Sequence, residues 1–503
     1  MRTGQQIAVV LAAGVVAGLA GFGGAALIDN GNGGAAASPA VSTAPPDEAL
    51  LDPAEPVTTP PPRPAPVATT PLPQPAPPLP DPEPEPEPEP EPTTEAEPAP
   101  PPPATTEPET ETKPPPAPTT TTTPRAPSAP STPPARATAP VQPAPQGIRI
   151  PPGQTASGFE PARRELATAL SRAAAGSDTA SDIRRLLSMW KAYLGPDAVN
   201  VPEGRRQTVA RALRDNAWWY ARRAAPVRRV LLVDEQGVIL TYRRGHGFAV
   251  NPVATTGRWQ GLNEGVPVEQ LAETMLQMGV RRSAGGRDFL SWEYYDELDD
   301  PSALVPGVSG MAQARLALVM AHAYDRTHDP RFAEAVRLTL ASFSVDVNDG
   351  GVRSMVRITP DQPLAPWYVE RAYPGASPWK GGALNGFMVT ILNLRGTASL
   401  LEAGAQGDPD VLATVELARS LADQGAATLD RHLPDHDSGS WSYYAMLTPG
   451  RPWRSYFADL NYHCYHIRLL KQLATPYPDL DFARYAVRWQ GYVDRAGVSC
   501  PVR

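Results

Sequence analysis

Five stretches of the chain concentrate side chains able to move protons or to hold a polar ligand. They run from Val308 to Gln313 (Val-Ser-Gly-Met-Ala-Gln), from Pro366 to Pro374 (Pro-Trp-Tyr-Val-Glu-Arg-Ala-Tyr-Pro), and from Leu384 to Phe387 (Leu-Asn-Gly-Phe). The other two run from Asp437 to Tyr444 (Asp-Ser-Gly-Ser-Trp-Ser-Tyr-Tyr) and from Asn461 to Ile467 (Asn-Tyr-His-Cys-Tyr-His-Ile). Taken singly, each also reads as loop packing, with a tyrosine hydroxyl or indole nitrogen tied off by a hydrogen bond. His463 and His466 stand three apart on one helical face, a spacing that suits a metal, yet no third ligand stands beside them. His432, Asp435, His436 and Asp437 are ligand types too, but they follow a helix end, where Asp and His serve as polar turn residues. The reading therefore assigns no metal. A Gly-rich phosphate loop, a G-x-S-x-G elbow and an HExxH pair are all missing from the sequence, and no cofactor is expected.

Taken in order, these segments resemble the D-glucuronyl C5-epimerases, which turn glucuronic into iduronic acid within a polysaccharide. The family's Ser-x-Met-Ala-Gln helix start is matched by Ser309 to Gln313, and its Trp-Tyr-Glu-Glu-Tyr-Pro element by Trp367 to Pro374. Its Leu-Asn-Gly-Phe is matched by Leu384 to Phe387, its Asp-Thr-Gly-Ser stretch ending in tyrosine by Asp437 to Tyr444, and its Tyr-His-Thr-Thr-His-Ile helix by Tyr462 to Ile467. The resemblance covers about 290–495. It implies catalytic tyrosines at Tyr373, Tyr444 and Tyr462 with an acidic partner at Glu370. It also implies substrate-binding residues among Gln313, Asn385, Arg371, Arg451, Arg454, His463 and His466. Three departures from the pattern bear on the catalytic assignment. Two extra residues separate Glu370 from Tyr373, Tyr443 stands directly before Tyr444, and Leu447 occupies the place of a family arginine, for which Arg451 or Arg454 is the substitute expected.

The implied chemistry sets physical demands. Inverting C5 of a uronic acid removes the proton next to the carboxylate and returns one from the opposite face. A base is needed on each face, and the extra negative charge on the carboxylate needs cations or donors. Tyrosine, with a pKa of about 10, becomes a base near neutrality only when neighbouring positive charge lowers it. Tyr462 and Tyr373 are expected as the opposed pair, Glu370 as the helper of one of them, and Tyr444 as a ligand of the carboxylate. A polysaccharide lyase would lift the same proton and then expel the 4-linked sugar. A glycosidase would need two opposed carboxylates, from among Glu370, Glu293 and Asp296. A domain that has lost catalysis and only binds cell-wall glycan is the alternative outside enzymology.

The elements that must position these residues follow from periodicity. Apolar residues three and four apart predict helices near 160–175, 181–194, 204–224, 267–280, 309–327, 331–345, 382–403, 409–432, 460–474 and 481–495. Two β-branched runs around Asp234–Gly237 predict a hairpin, followed by loop through Gly245, Gly247, Asn251 and Pro252. Paired helices with long loops at one end predict a mainly α fold, an α/α toroid or partial (α/α) barrel with a small β-hairpin element.

Composition sets the outer limits. Of 63 prolines in 503 residues, most fall between Pro39 and Pro152 among Thr, Ala and Glu, a mixture that cannot offset its own ordering entropy. A disordered linker is expected over 31–149, with a helical and hairpin part over 150–265 and the epimerase-like part over 266–503. Residues 1–150 hold 16 Asp+Glu and 6 Lys+Arg, leaving 37 and 39 in the remainder, so the acidic balance belongs to the linker. Without a strong basic field, nucleic acid is not an expected partner. Residues 1–30 read as a membrane segment: Arg2 precedes an uncharged apolar run, Ile7–Ile28, long enough to span a bilayer with the N-terminus inside, while Ala35–Ala37 offers an alternative cleavage site. Either way the rest faces outward, membrane-anchored or secreted, with a uronic-acid polysaccharide as the expected partner. Cys464 and Cys500 are the only cysteines, and the sequence leaves a bridge between them open.

Overall fold

Three amphipathic helices open the folded region. α1 (Phe159–Arg172) buries Ala162, Leu166 and Ala169, each three or four residues from the next. α2 (Asp178–Tyr193) starts at Ser177, whose hydroxyl accepts from the Ala180 N–H, and buries Ile183, Leu186 and Met189. α3 (Glu203–Tyr220) buries most of its C-terminal half, including Trp218 and Trp219. In this computed structural model residues 146–501 are described, apart from 229, 258–260, 296–305, 358–361, 375–381 and 446–456. The expected membrane segment, and the linker as far as residue 145, lie outside the described residues. No described helix is long and apolar enough to cross a membrane.

The predicted hairpin is present as β2 (Val230–Val233) and β3 (Ile239–Arg243), with Leu232 opposite Leu240. Its turn is fixed by Asp234, whose Oδ1 accepts from the Gln236 and Val238 N–H groups at 3.0 and 2.8 Å. Gly237 follows at φ +82°, a conformation that favours glycine. Two strands extend this sheet beyond expectation. β4 (Gly247–Val250) pairs antiparallel with β3 in a stretch read as loop. β1 (Gln146–Arg149) pairs parallel with β2, four residues inside the expected linker. Its partner lies some eighty residues away, so no local pattern announces it. The folded region therefore begins at least as early as Gln146.

Two short helices, α4 (Pro252–Thr256) and α5 (Val268–Gln277), lead to a hairpin that periodicity did not show, β5 (Val280–Ala284) with β6 (Arg287–Ser291). Helices then alternate in pairs: α6 (Gly310–Thr327) with α7 (Pro330–Ala341), α8 (Leu384–Gly404) with α9 (Pro409–His432), and α10 (Leu460–Ala474) with α11 (Phe482–Arg495). A third small sheet, β7 (Arg353–Val356) against β8 (Ala365–Tyr368), sits between the first two pairs in sequence. α6 packs on α8, and α8 packs on α9 and α10. Helices buried on one stripe need polar outer faces, whereas α6 and α8 carry apolar residues nearly all round and are buried accordingly. The result is a mainly helical fold with small sheets, and one continuous core runs from Ile150 to Val493.

Two covalent or ionic ties complete the frame. Cys464 and Cys500 form a disulfide, closing α10 to the segment after α11 over 36 residues. Glu293, beyond β6, is buried and receives Arg205 of α3 through two bonds, at 2.9 and 2.8 Å. Arg282 of β5 and the Tyr295 hydroxyl also donate to it. These partners hold it below the usual glutamate range against the opposing effect of its burial. A carboxylate so fully engaged joins the N-terminal helices to the rest and is not the exposed acid that a glycosidase requires. Asp296, its companion in that reading, lies outside the described residues.

Candidate functional site

Three backbone seams bring the motif segments together at the N-terminal ends of α6, α8 and α10. Val308 and Ala372 exchange N–H···O bonds at 2.8 Å in both directions, and Gly310 N–H donates to Val369 O at 2.8 Å. The Glu370–Tyr373 run is thereby fixed to the start of α6, which Ser309 caps by accepting from Ala312 N–H. Leu384 N–H donates to Tyr444 O at 2.9 Å, joining the second tyrosine to the start of α8. Ala458 N–H donates to Ser442 O at 3.0 Å, and Asp459 caps α10 by accepting from Tyr462 N–H at 2.8 Å. A single residue of slippage in any seam would re-aim a motif side chain.

The side chains these seams present are mostly shielded from water. Tyr373 is buried. The Tyr444 and Tyr462 rings meet edge-on, centroids 4.7 Å apart. Glu370 is buried too, with its carboxylate against the first turn of α8, where a Cβ on Gly386 would lie 2.6 Å from Oε2. Glycine in the Leu-Asn-Gly-Phe motif thus makes room for the acid. Burial raises the Glu370 carboxyl above its usual range, opposed by Arg371 and Arg315. Such a shift moves a carboxylate toward neutrality and makes it a stronger base. Burial also pushes the Tyr444 phenol well above 10, and the Glu370 charge and a hydrogen bond with Tyr462 push the same way. This runs opposite to a tyrosine poised as a base by nearby cations. Both shifts favour the protonated forms of Tyr444 and Glu370.

The expected binding residues divide. Arg371, directly after Glu370, is half-buried, and Asn385 sits in the first turn of α8 with a buried Oδ1 that has no hydrogen-bond partner among the described residues. Arg451 and Arg454, like Leu447, lie outside the described residues. Gln313 is fully buried and its amide donates to Trp292 O at 3.3 Å, while its Oε1 has no hydrogen-bond partner among the described residues. His463 and His466 are both fully buried and converge on one hydroxyl. The Ser442 Oγ lies 2.8 Å from His463 Nδ1 and 2.9 Å from His466 Nδ1. Ser442 N–H donates to His463 Nδ1 at 3.2 Å, so that nitrogen carries no proton, and the Nε2–H reaches Trp489 O at 3.1 Å. Burial lowers the His463 imidazole to about 4, which keeps it neutral. The pair binds the Asp437–Tyr444 loop to α10 and thereby positions Tyr444.

Residues that the sequence reading passed over now stand out. Arg315 on α6 is buried, donates to Val253 O at 3.0 Å, and lies within electrostatic reach of Glu370, Tyr294 and Tyr465. Tyr465 occupies a position where the family motif has threonine, and the Arg315 and Glu370 charges both act on it. Its only prior signal was that departure. Ser442 gave none, because its role depends on two histidines from a later helix. No group of three or more His, Cys, Asp or Glu among the described residues could hold a metal ion.

The family model described as the D-glucuronyl C5-epimerase C-terminus matches residues 288–491. The chain is similar to a D-glucuronyl C5-epimerase of Caenorhabditis elegans, 28% identical over 184 residues, covering 37% of this chain and 28% of that protein. The chain thus spans little more than a quarter of that relative's length. The matched segment starts within β6 and ends within α11, enclosing every motif that converges at the three helix starts. Residues 288–491 thus resemble the C-terminal domain of the D-glucuronyl C5-epimerases.

Proposed function

We propose that the domain inverts C5 of uronic-acid residues, of the glucuronic and iduronic type, within an acidic polysaccharide by two-base proton exchange. The observation that carries this reading is the convergence of five separated segments on one place, where Tyr444 and Tyr462 touch and Glu370 abuts α8. In this scheme Tyr462 and Tyr373 serve the two faces of the sugar. One of them passes its proton to Glu370, whose raised basicity suits it to receive it. Tyr444, kept protonated, donates a hydrogen bond to the substrate carboxylate, and Arg371, Arg315, Arg451 and Arg454 supply the positive charge. Asn385 Oδ1, still an open acceptor, takes a sugar hydroxyl. The row of α6, α8 and α10 fits an arc of a partial (α/α) barrel with the site at its mouth. We further read the chain as exported and held to the membrane by Ile7–Ile28, in keeping with a disulfide in its folded region.

The test exchanges each tyrosine for phenylalanine, which keeps the ring and removes the hydroxyl. A structural tyrosine would cost about 0.5–1.5 kcal/mol of stability and little rate. Tyr462→Phe and Tyr373→Phe should each lose roughly 10²–10⁴-fold in epimerisation with the fold intact. Offered one C5 epimer at a time in deuterated water, the two variants should retain exchange from opposite substrates. Wild-type turnover in both would end the tyrosine assignment, and a product shortened to an unsaturated, ultraviolet-absorbing end would establish a lyase instead.

A further inference from the structure

Positive charge is unevenly spread over the folded region. Residues 151–265 carry 17 Lys+Arg against 10 Asp+Glu, whereas 266–503 carry 22 against 27. Within the basic part, a cavity of about 370 Å³ lies between the start of α1 and α3, lined by Phe159, Leu194, Arg206, Gln207 and Arg214 among others. None of its lining residues falls in the 288–491 segment.

Its chemistry suits an anion attached to a ring. Arg211, also in the wall, is spent on Asp234 and Gln236. Arg214 is not: its Nε and Nη2 are buried without an acceptor, and Asp215 Oδ1 stands 3.6 Å from Nε, beyond hydrogen-bond length. Burial, with Asp234 alongside, raises the Asp215 carboxyl, while Arg214 and Arg211 pull it the other way. α1 and α3 both begin here, at Gly158 and Pro202, with no side chain capping their first-turn N–H groups, which adds positive potential. Phe159 is 36% exposed and offers an aromatic face of the kind on which pyranose rings stack. Glu203 bears the opposite charge, but Arg206 at 3.8 Å and the Gln207 amide engage it.

We propose that this cavity is a second saccharide subsite, taking an acidic sugar of the same polysaccharide with its carboxylate on Arg214 and Arg206 and its ring on Phe159. The ligand class rests on the epimerase reading; the site itself rests on the cavity.

The test uses the full chain and a glucuronic-acid-containing octasaccharide, with affinity measured by calorimetry at two salt concentrations. Arg206→Glu and Phe159→Ala change partly exposed side chains and should keep the fold, which circular dichroism checks. Each should weaken octasaccharide binding at least tenfold and leave turnover of a disaccharide unchanged. Wild-type affinity should fall as salt rises, and a neutral octasaccharide should not compete. Unchanged affinity in both variants, equal competition by the neutral sugar, or no binding by the wild-type chain would overturn the subsite. Binding that is lost in Arg206→Glu in a chain that never exchanges deuterium at C5 would keep the subsite and sink the epimerase reading alone.

Discussion

Gly386 shows how one residue without a side chain can set the geometry of a reactive one. A helix interior normally favours alanine over glycine by about 1 kcal/mol, so glycine two residues into α8 is there for space. A Cβ at this position would meet Glu370 Oε2 at 2.6 Å and the Glu370 Cβ at 3.3 Å. The carboxylate end of a glutamate can swing away cheaply, so Gly386→Ala should fold normally, with a melting temperature at or slightly above wild type. It should nonetheless lower kcat by roughly 10–100-fold if Glu370 accepts the proton as proposed, because its carboxylate is displaced by about the distance at which positioned proton transfer fails. Steady-state kinetics beside a thermal melt separate the two effects. An alanine variant with full kcat would remove Glu370 from the chemistry. The tyrosines of the site were legible from the sequence because their motif carries them. Glu370's tuning was not, since it comes from burial against a glycine sixteen positions away.

At the scale of elements, the loop bearing Tyr444 is held by neutral imidazoles, and this gives the site a response to acid. His436 ends the single-turn helix Leu433–His436 after α9, is fully buried, and stacks on Trp367 with centroids 5.8 Å apart. Neither ring nitrogen has a well-formed hydrogen bond, and burial lowers its pKa to about 4. An unfolded histidine takes up its proton near pH 6.5. Between pH 6.5 and about 4 the unfolded chain therefore binds a proton that the folded chain refuses, and stability falls as pH falls. His436→Phe keeps an aromatic ring on Trp367 and abolishes that proton. Its advantage over wild type should grow by about 1.4 kcal/mol per pH unit through this window and level off below it. Urea unfolding at several pH values measures this, and an advantage independent of pH would show that His436 titrates normally. The helices themselves were legible, since apolar spacing and caps such as Ser309 and Asp459 are local. β1, β4 and the β5–β6 hairpin were not: β1 pairs with a strand some eighty residues away, and the others lack the β-branched runs that mark β2 and β3. The Ser442 contacts of the histidines were not legible either: a His-x-x-His spacing on a helix reads alike whether it faces a ligand or a serine from an earlier loop.

For the whole molecule, the disulfide joins the question of stability to the question of where the protein works. Cys464 lies in α10 two residues after Tyr462, and Cys500 follows α11, so the bridge fixes the last helix pair that carries the site. Closing 36 residues should restrict the unfolded chain by about 3–4 kcal/mol on the chain-entropy account. Cys500 is only partly buried, so Cys500→Ser removes the bridge without leaving a cavity in the core. The variant should lose about that much stability, and a reductant should bring the wild-type chain down to the same level. Export predicts more. A bridge survives only where thiols are not continually reduced, so full-length protein alkylated at the moment of cell lysis should carry no modified cysteine. Finding both thiols alkylated, with Cys500→Ser as stable as wild type, would count against the bridge and the outward-facing location together. Alkylated thiols with a destabilised variant would keep the bridge as a property of the fold and remove the argument it lends to export.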